Sequence, residues 1–119
     1  MVSVMNSPLH WEMYNSIVYG QQEEELGTAL SSTTEVDTTY LFDHCLVRTT
    51  KFDHSDAGFN GCLFNQDPLF MDYRTFDFHL SDVLSPAVGA GSPVIANEIP
   101  FDLEGKDRRN TPDLGAYQY

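Results

Sequence analysis

Three short apolar triplets, Ser16-Ile17-Val18, Cys45-Leu46-Val47 and Cys62-Leu63-Phe64, read as one structural position visited three times. They are spaced by 29 residues and then 17. Unequal intervals argue against a repeat of fixed length, but they suit strands that stack with loops of different size between them. The flanking pattern agrees. The run YNSIVY at residues 14–19 reads as a buried strand ending in a turn at Gly20, and residues 38–50 resume the strand pattern. FNGCLF at residues 59–64 repeats the centre of that second run. In FDFHL at residues 76–80, Phe76, Phe78 and Leu80 alternate with Asp77 and His79, which predicts one face in and the other out.

Between these strands the chain is polar or broken. Residues 21–35 are acidic and rich in Ser and Thr, and are expected to form a loop; a helical turn over Glu23 to Leu30 is the alternative, opposed by Gly27. Residues 84–96 are small and apolar, with Pro86, Gly89, Gly91 and Pro93 expected to break any helix and to form a tight corner. From Asp102 onward a charged loop is expected to lead into a final edge strand at Leu114 to Tyr117.

At 119 residues, 41% hydrophobic and 13% aromatic, the chain fits a single domain with a real core. Its net charge of −12 repels nucleic-acid phosphates and the anionic face of a membrane. The same field opposes a grip on uronate polymers unless cations reverse it locally. No stretch approaches the ~20 apolar residues of a membrane span, and residues 1–20 lack the basic and apolar blocks of an export signal.

Several motifs carry a family resemblance. Asn15 to Gly20 is similar to an NSIxxG strand and turn, Asp67-Pro68-Leu69-Phe70 to a DPLF turn, and Phe78-His79-Leu80 to a short strand ahead of Ser85-Pro86-Ala87. Gly89-Ala90-Gly91, Asp102-Leu103-Glu104-Gly105 with Arg108 or Arg109, and Asp113-Leu114-Gly115-Ala116-Tyr117 follow in order. Together, over residues 14–119, they resemble the closing coils of bacterial right-handed parallel β-helix proteins of the pectin-lyase-like group. Gln118 stands where that pattern has an acid, and Cys45 and Cys62 stand where it is more often aliphatic. The resemblance implies an all-β fold, a short right-handed parallel β-helix made of C-terminal coils plus a terminal cap. Residues 1–13 would be the N-terminal edge, 14–96 the coils and 97–119 the cap. It also implies a secreted or surface-attached bacterial protein acting on or binding polysaccharide, in which this segment need not be catalytic.

An uncapped parallel edge exposes unpaired backbone groups, so residues 1–13 are expected to cover it, with Trp11, Met13 and Tyr14 as an apolar plug, or to mark where upstream coils join. A second copy pairing through that edge would be the other solution, giving a homo-oligomer.

Candidate binding residues are Asp43 and His44, Asp53 and His54, and Asp56, because two Phe-Asp-His tripeptides ten residues apart offer carboxylates and imidazoles that could converge on a cation such as calcium or zinc. The competing reading places Asp53, Ser55 and Asp56 in turns, bonded to their own backbone. No metal or cofactor is required by the sequence, and no catalytic residue is assigned. Carboxylate pairs for glycoside hydrolysis can be drawn from Asp43, Asp53, Asp56, Asp67, Asp72 and Asp77, but with eighteen acids some pair will meet the spacing by chance. Asp67, ahead of Pro68, is better explained as a turn residue. Cys45 and Cys62 occupy matching positions and are either bridged or two core thiols. Asp102, Arg108, Arg109 and Asp113 are expected to pair as ions that tie down the cap, with Tyr117 in the closing segment.

Three functions follow: a non-catalytic scaffold and cap that binds polysaccharide, part of a polysaccharide lyase or glycoside hydrolase with its catalytic groups elsewhere, and a self-assembling edge-pairing module.

Overall fold

The computed structural model describes residues 9–25 and 38–119. Six strands make two parallel three-stranded sheets. The first sheet holds β1 (Leu9–Tyr14), β3 (Thr38–Asp43) and β5 (Phe59–Asn60). The second holds β2 (Ile17–Val18), β4 (Leu46–Val47) and β6 (Leu63–Phe64). Among the described residues the regular structure is thus mostly strand, largely in parallel sheets, with little helix.

The triplets do stack. Ile17 pairs with Leu46 and Leu46 with Leu63, while Val18, Val47 and Phe64 form the adjoining row. The amide of Leu46 donates to the Ser16 carbonyl at 2.9 Å and that of Leu63 to the Cys45 carbonyl at 2.8 Å. What the sequence pattern hid is a corner inside each run. Asn15, His44 and Gly61 have φ of 49°, 54° and 64°, left-handed backbone that turns the chain from the first sheet into the second. YNSIVY and the 38–50 run are therefore each two strands around a bend. Asn and His tolerate this region better than most residues, and glycine adopts it freely.

Side-chain alternation across β4 explains the two cores. Cys45 and Val47 face inward with Phe42, against Met13, Val18, Tyr40, Phe52, Phe59, Cys62 and Phe64. The rings interlock, with Tyr40 and Phe59 centroids 5.4 Å apart and Phe59 and Phe64 edge-to-face at 5.0 Å. Gly58 permits this approach: a Cβ there would lie 2.3 Å from the Tyr40 ring. Leu46 points the other way, joining Leu80, Ala87 and Leu114. The Ile17, Leu46 and Leu63 row, expected inside the stack, instead faces the C-terminal segment. The second sheet is covered on both sides, and so its strands are apolar at consecutive positions.

The C-terminal half folds over that outer face. β7 (Phe70–Asp72) and β8 (Asp77–Leu80) form an antiparallel pair joined by a single 3₁₀ turn at Tyr73–Thr75. Helix α1 spans Pro93–Glu98, where the sequence suggested only a corner. Pro93 is at the helix start, where its missing N–H costs nothing, so it opens the helix instead of breaking it. The expected terminal edge strand does not form. Residues 113–119 bend, with Gly115 donating to the Asn15 carbonyl at 2.8 Å and Leu114 to that of Ala87 at 2.9 Å.

The amino-terminal edge also differs from expectation. Trp11 and Met13 are strand residues of β1, paired with Tyr40 and Phe42, so among the described residues the ladder already includes Leu9–Tyr14, ahead of the expected residue 14. Residues 1–8, and the stretch 26–37 that contains most of the expected acidic loop, lie outside the described residues. Of that loop, Glu24 clamps the 49–51 turn, accepting from the amides of Thr50 at 2.7 Å and Lys51 at 2.8 Å.

Candidate functional site

FDFHL was expected to bury Phe76, Phe78 and Leu80 together, but only Leu80 is buried. Phe76 is 79% exposed and Phe78 41% exposed. β7 and β8 are a two-stranded pair whose aromatic side is not covered, and Phe76 sits in left-handed backbone at the end of the 3₁₀ turn. These rings line a groove of about 650 Å³ between the hairpin and the end of β2, together with Tyr19, Arg48, Asp67, Phe70 and Tyr73. A second hollow of about 520 Å³ shares Tyr19, Phe70 and Phe78 and continues towards Tyr14 and Arg108.

Side-chain contacts line the groove's walls. The Arg48 guanidinium lies 4.9 Å from the Tyr19 ring centroid and donates to the Gly20 carbonyl at 2.6 Å. Phe70 and Phe78 meet edge-to-face at 5.2 Å. Asp67 accepts from the Leu69 amide at 2.8 Å, the turn role expected of an acid ahead of proline. Ser81 adds a hydroxyl, which bonds the Leu69 carbonyl at 2.8 Å.

The five residues singled out from the Phe-Asp-His repeat do not converge. His44 Nδ1 bonds the carboxylate of its neighbour Asp43, whose other oxygen accepts from Asn60 at 3.2 Å. Asp53 accepts from the amide and hydroxyl of Ser55, at 2.9 and 2.7 Å, and hydrogen bonding holds its carboxyl below the usual range. Asp56 accepts from Gly58 at 3.0 Å, and burial followed by the Asp56 carboxylate pushes the Tyr40 phenol to about 12. His54 stacks on Phe64 at 3.9 Å, nearly parallel. Among the described residues, no three His, Cys, Asp or Glu side chains are grouped so as to hold a metal ion. The two tripeptides differ because Asp43-His44 sits at a corner of the stack and Asp53-His54 in a surface turn.

The terminal segment is tied down differently from the expected ion pairs. Asp102 accepts from the amides of Glu104, Lys106 and Gln118, at 2.8, 2.8 and 2.7 Å. Desolvation raises its pKa, but those amide bonds win and the carboxyl is lowered. Asp113 accepts from Gly89 at 2.7 Å and Tyr119 at 2.6 Å. Gln118, standing where the resemblance has an acid, accepts from the Asp113 amide at 2.9 Å. Arg108, 8% exposed, donates to the Gly115 carbonyl at 3.0 Å. Arg109 pairs instead with Asp107 at 2.6 Å, two residues away and exposed, where its expected contribution is small. Backbone amides are the nearer partners for these carboxylates because the tail loops back on itself with its N–H groups inward.

One latch was not visible in sequence. His79 bonds Asp77 through Nδ1 at 2.5 Å and Glu104 through Nε2 at 2.8 Å, and stacks on Tyr117 at 3.8 Å. The two acids lie on opposite sides of the ring, so they cannot share a metal. The Asp77 hydrogen bond, then that to Glu104, raises the His79 pKa. A raised imidazole pKa stabilises the fold fully below the unfolded value of about 6.5, and that stabilisation fades as pH rises through the folded value. The difference in thermal midpoint between the wild type and His79→Gln is therefore expected to be largest near pH 6 and to shrink as pH is raised. A difference that grows with pH would contradict the latch.

Among the described residues no helix is long and apolar enough to cross a membrane. Comparisons with protein-family models, curated proteins and solved structures find no match to this chain, so the groove and the stacked rungs themselves carry the functional reading.

Proposed function

We propose that this chain forms the closing, non-catalytic part of a right-handed parallel β-helix from a secreted or surface bacterial protein, acting as scaffold and cap, and that the aromatic groove binds polysaccharide. The observation that carries the binding role is the set of uncovered rings, Tyr73, Phe76 and Phe78, beside Tyr19 and Arg48. Aromatic faces outside a core are costly to leave wet, and they suit the apolar faces of sugar rings, while Asp67, Ser81 and Gln21 at the rim offer hydrogen bonds to hydroxyls. The in-register rungs, with a left-handed corner at the same place in each, support the solenoid reading.

A neutral glycan fits better than a polyuronate. The net charge is −12, and Arg48 is already engaged with Gly20 and Tyr19. Binding also fits better than hydrolysis, since Asp67 is the one acid among the described residues lining the larger groove and hydrolysis calls for two carboxylates. Participation in a lyase or hydrolase would then rest on groups elsewhere.

A glycan array followed by titration calorimetry tests the reading. Tyr73→Ala and Phe76→Ala remove exposed rings, so each is expected to leave the thermal midpoint nearly unchanged and to weaken binding at least tenfold, about 1.4 kcal/mol. Absence of any bound glycan, or binding indifferent to both substitutions, would overturn it.

A further inference from the structure

We propose that Cys45 and Cys62 are a cross-rung redox pair, closed to a disulfide by exchange with a low-molecular-weight disulfide, with Cys62 as the attacking thiol. Both are free thiols in the structure. They precede Leu46 and Leu63, which are register partners on adjacent parallel strands, and the Leu63 amide bonds the Cys45 carbonyl at 2.8 Å. Neighbouring strands lie about 4.7–4.9 Å apart, inside the Cα range of about 4.4–6.8 Å that a disulfide spans.

The two thiols repeat one another's surroundings. Cys45 Sγ is 3.5 Å from the Met13 carbonyl and Cys62 Sγ is 2.9 Å from that of Phe42, and Met13 and Phe42 are themselves register partners. The side chains therefore point the same way from successive rungs, each thiol donating to a carbonyl of the rung before it. Closure asks for a rotation at one Cβ and a local approach of the two Cβ atoms to about 3.5–4.5 Å.

Access separates their roles. Cys45 is fully buried and Cys62 is partly exposed. The interaction between the two thiols lowers the pKa of Cys62 and, with burial, raises that of Cys45, which favours the thiolate on the reachable sulfur. In the first step the Cys62 thiolate attacks one sulfur of glutathione disulfide, forming a mixed disulfide and releasing one glutathione thiolate, which takes up the proton Cys62 gave to solvent. In the second, Cys45 loses its proton, attacks the Cys62 sulfur and expels the second glutathione thiolate, which takes up that proton. Two protein thiols are oxidised to one cystine and one glutathione disulfide is reduced to two thiols.

The test incubates the folded chain with glutathione disulfide and follows intact mass and free thiols. Both thiols are expected to disappear together, with a mass lower by two hydrogen atoms and no retained adduct. Trypsin cuts after Arg48 and Lys51, so the peptides carrying Cys45 and Cys62 should stay joined until a reductant is added. Cys45→Ser should stop at a glutathione adduct on Cys62, and Cys62→Ser should leave Cys45 unreacted over the same period. Two surviving thiols in the wild type, or a stable adduct on wild-type Cys62, would overturn the proposal. So would a Cys62→Ser chain whose Cys45 reacts as fast as the wild type.

Discussion

Leu46→Ala is expected to destabilise the chain by about 2 to 5 kcal/mol, the range for deleting a buried leucine side chain where neighbours collapse only in part. Leu46 is 0% exposed and sits at the centre of the outer core, with Ile17 on one side, Leu63 on the other and Leu80, Ala87 and Leu114 above. It therefore joins two things, the parallel ladder and the segment folded over it. A shallow or flexible site would refill and cost little. This one is bounded below by paired strands and above by Leu114, whose backbone is held to Ala87, so refilling is restricted. Ile17→Val, at the half-buried end of the same row, removes a single methylene and should cost about 0.5 to 1.5 kcal/mol or less. Urea unfolding of both variants gives the comparison. Near-equal losses would mean that Leu46 is not the joint between the parallel ladder and the C-terminal segment.

Asp113→Ala is the second large effect, expected at about 2 to 4 kcal/mol, because it leaves the Gly89 and Tyr119 amides without their carboxylate partner and bonds to charged groups are worth about 1.5 to 3 kcal/mol each. Both amides belong to exposed residues, and water can serve them in part, which brings the figure to the low end of the sum or below it. Asp113 itself is 2% exposed. Asp113→Asn keeps one acceptor but turns an NH₂ towards the other amide, so it should recover less than half of the loss. Hydrogen exchange reads the effect locally: the amides of 113–119 should lose protection before those of 45–47. Uniform loss across the chain would show instead that tail and ladder unfold as one unit.

The contrast between these residues explains what was readable in advance. The Ile17, Leu46 and Leu63 register was legible because apolar residues at matched strand positions leave a direct mark on the sequence. Its facing was not, since a two-residue strand covered on both sides shows no alternation. The corners at Asn15 and His44 were hidden because each sits inside an unbroken strand-like run, and single left-handed residues other than glycine carry a weak signal. The helix at Pro93 was missed by reading proline as a breaker and not as a first-turn residue. The groove could have been suspected from FDFHL, whose three large apolar residues alternate with Asp77 and His79. Whether such a face goes inward depends on a covering layer that no local pattern reveals. Asp102 and Asp113 were found by their motif, but their partners are amides brought in by the tail's path, and charge counting points to arginines.

The parallel stacking of these strands is the claim on which the groove, the proposed cap and the thiol pair all stand, and interstrand nuclear Overhauser contacts measure it directly. Contacts linking Ile17 to Leu46 and Leu46 to Leu63, with the parallel pattern of amide and α-proton distances, are the expected result. Antiparallel α-proton pairs among these strands, or no contact between residues 17, 46 and 63, would contradict it.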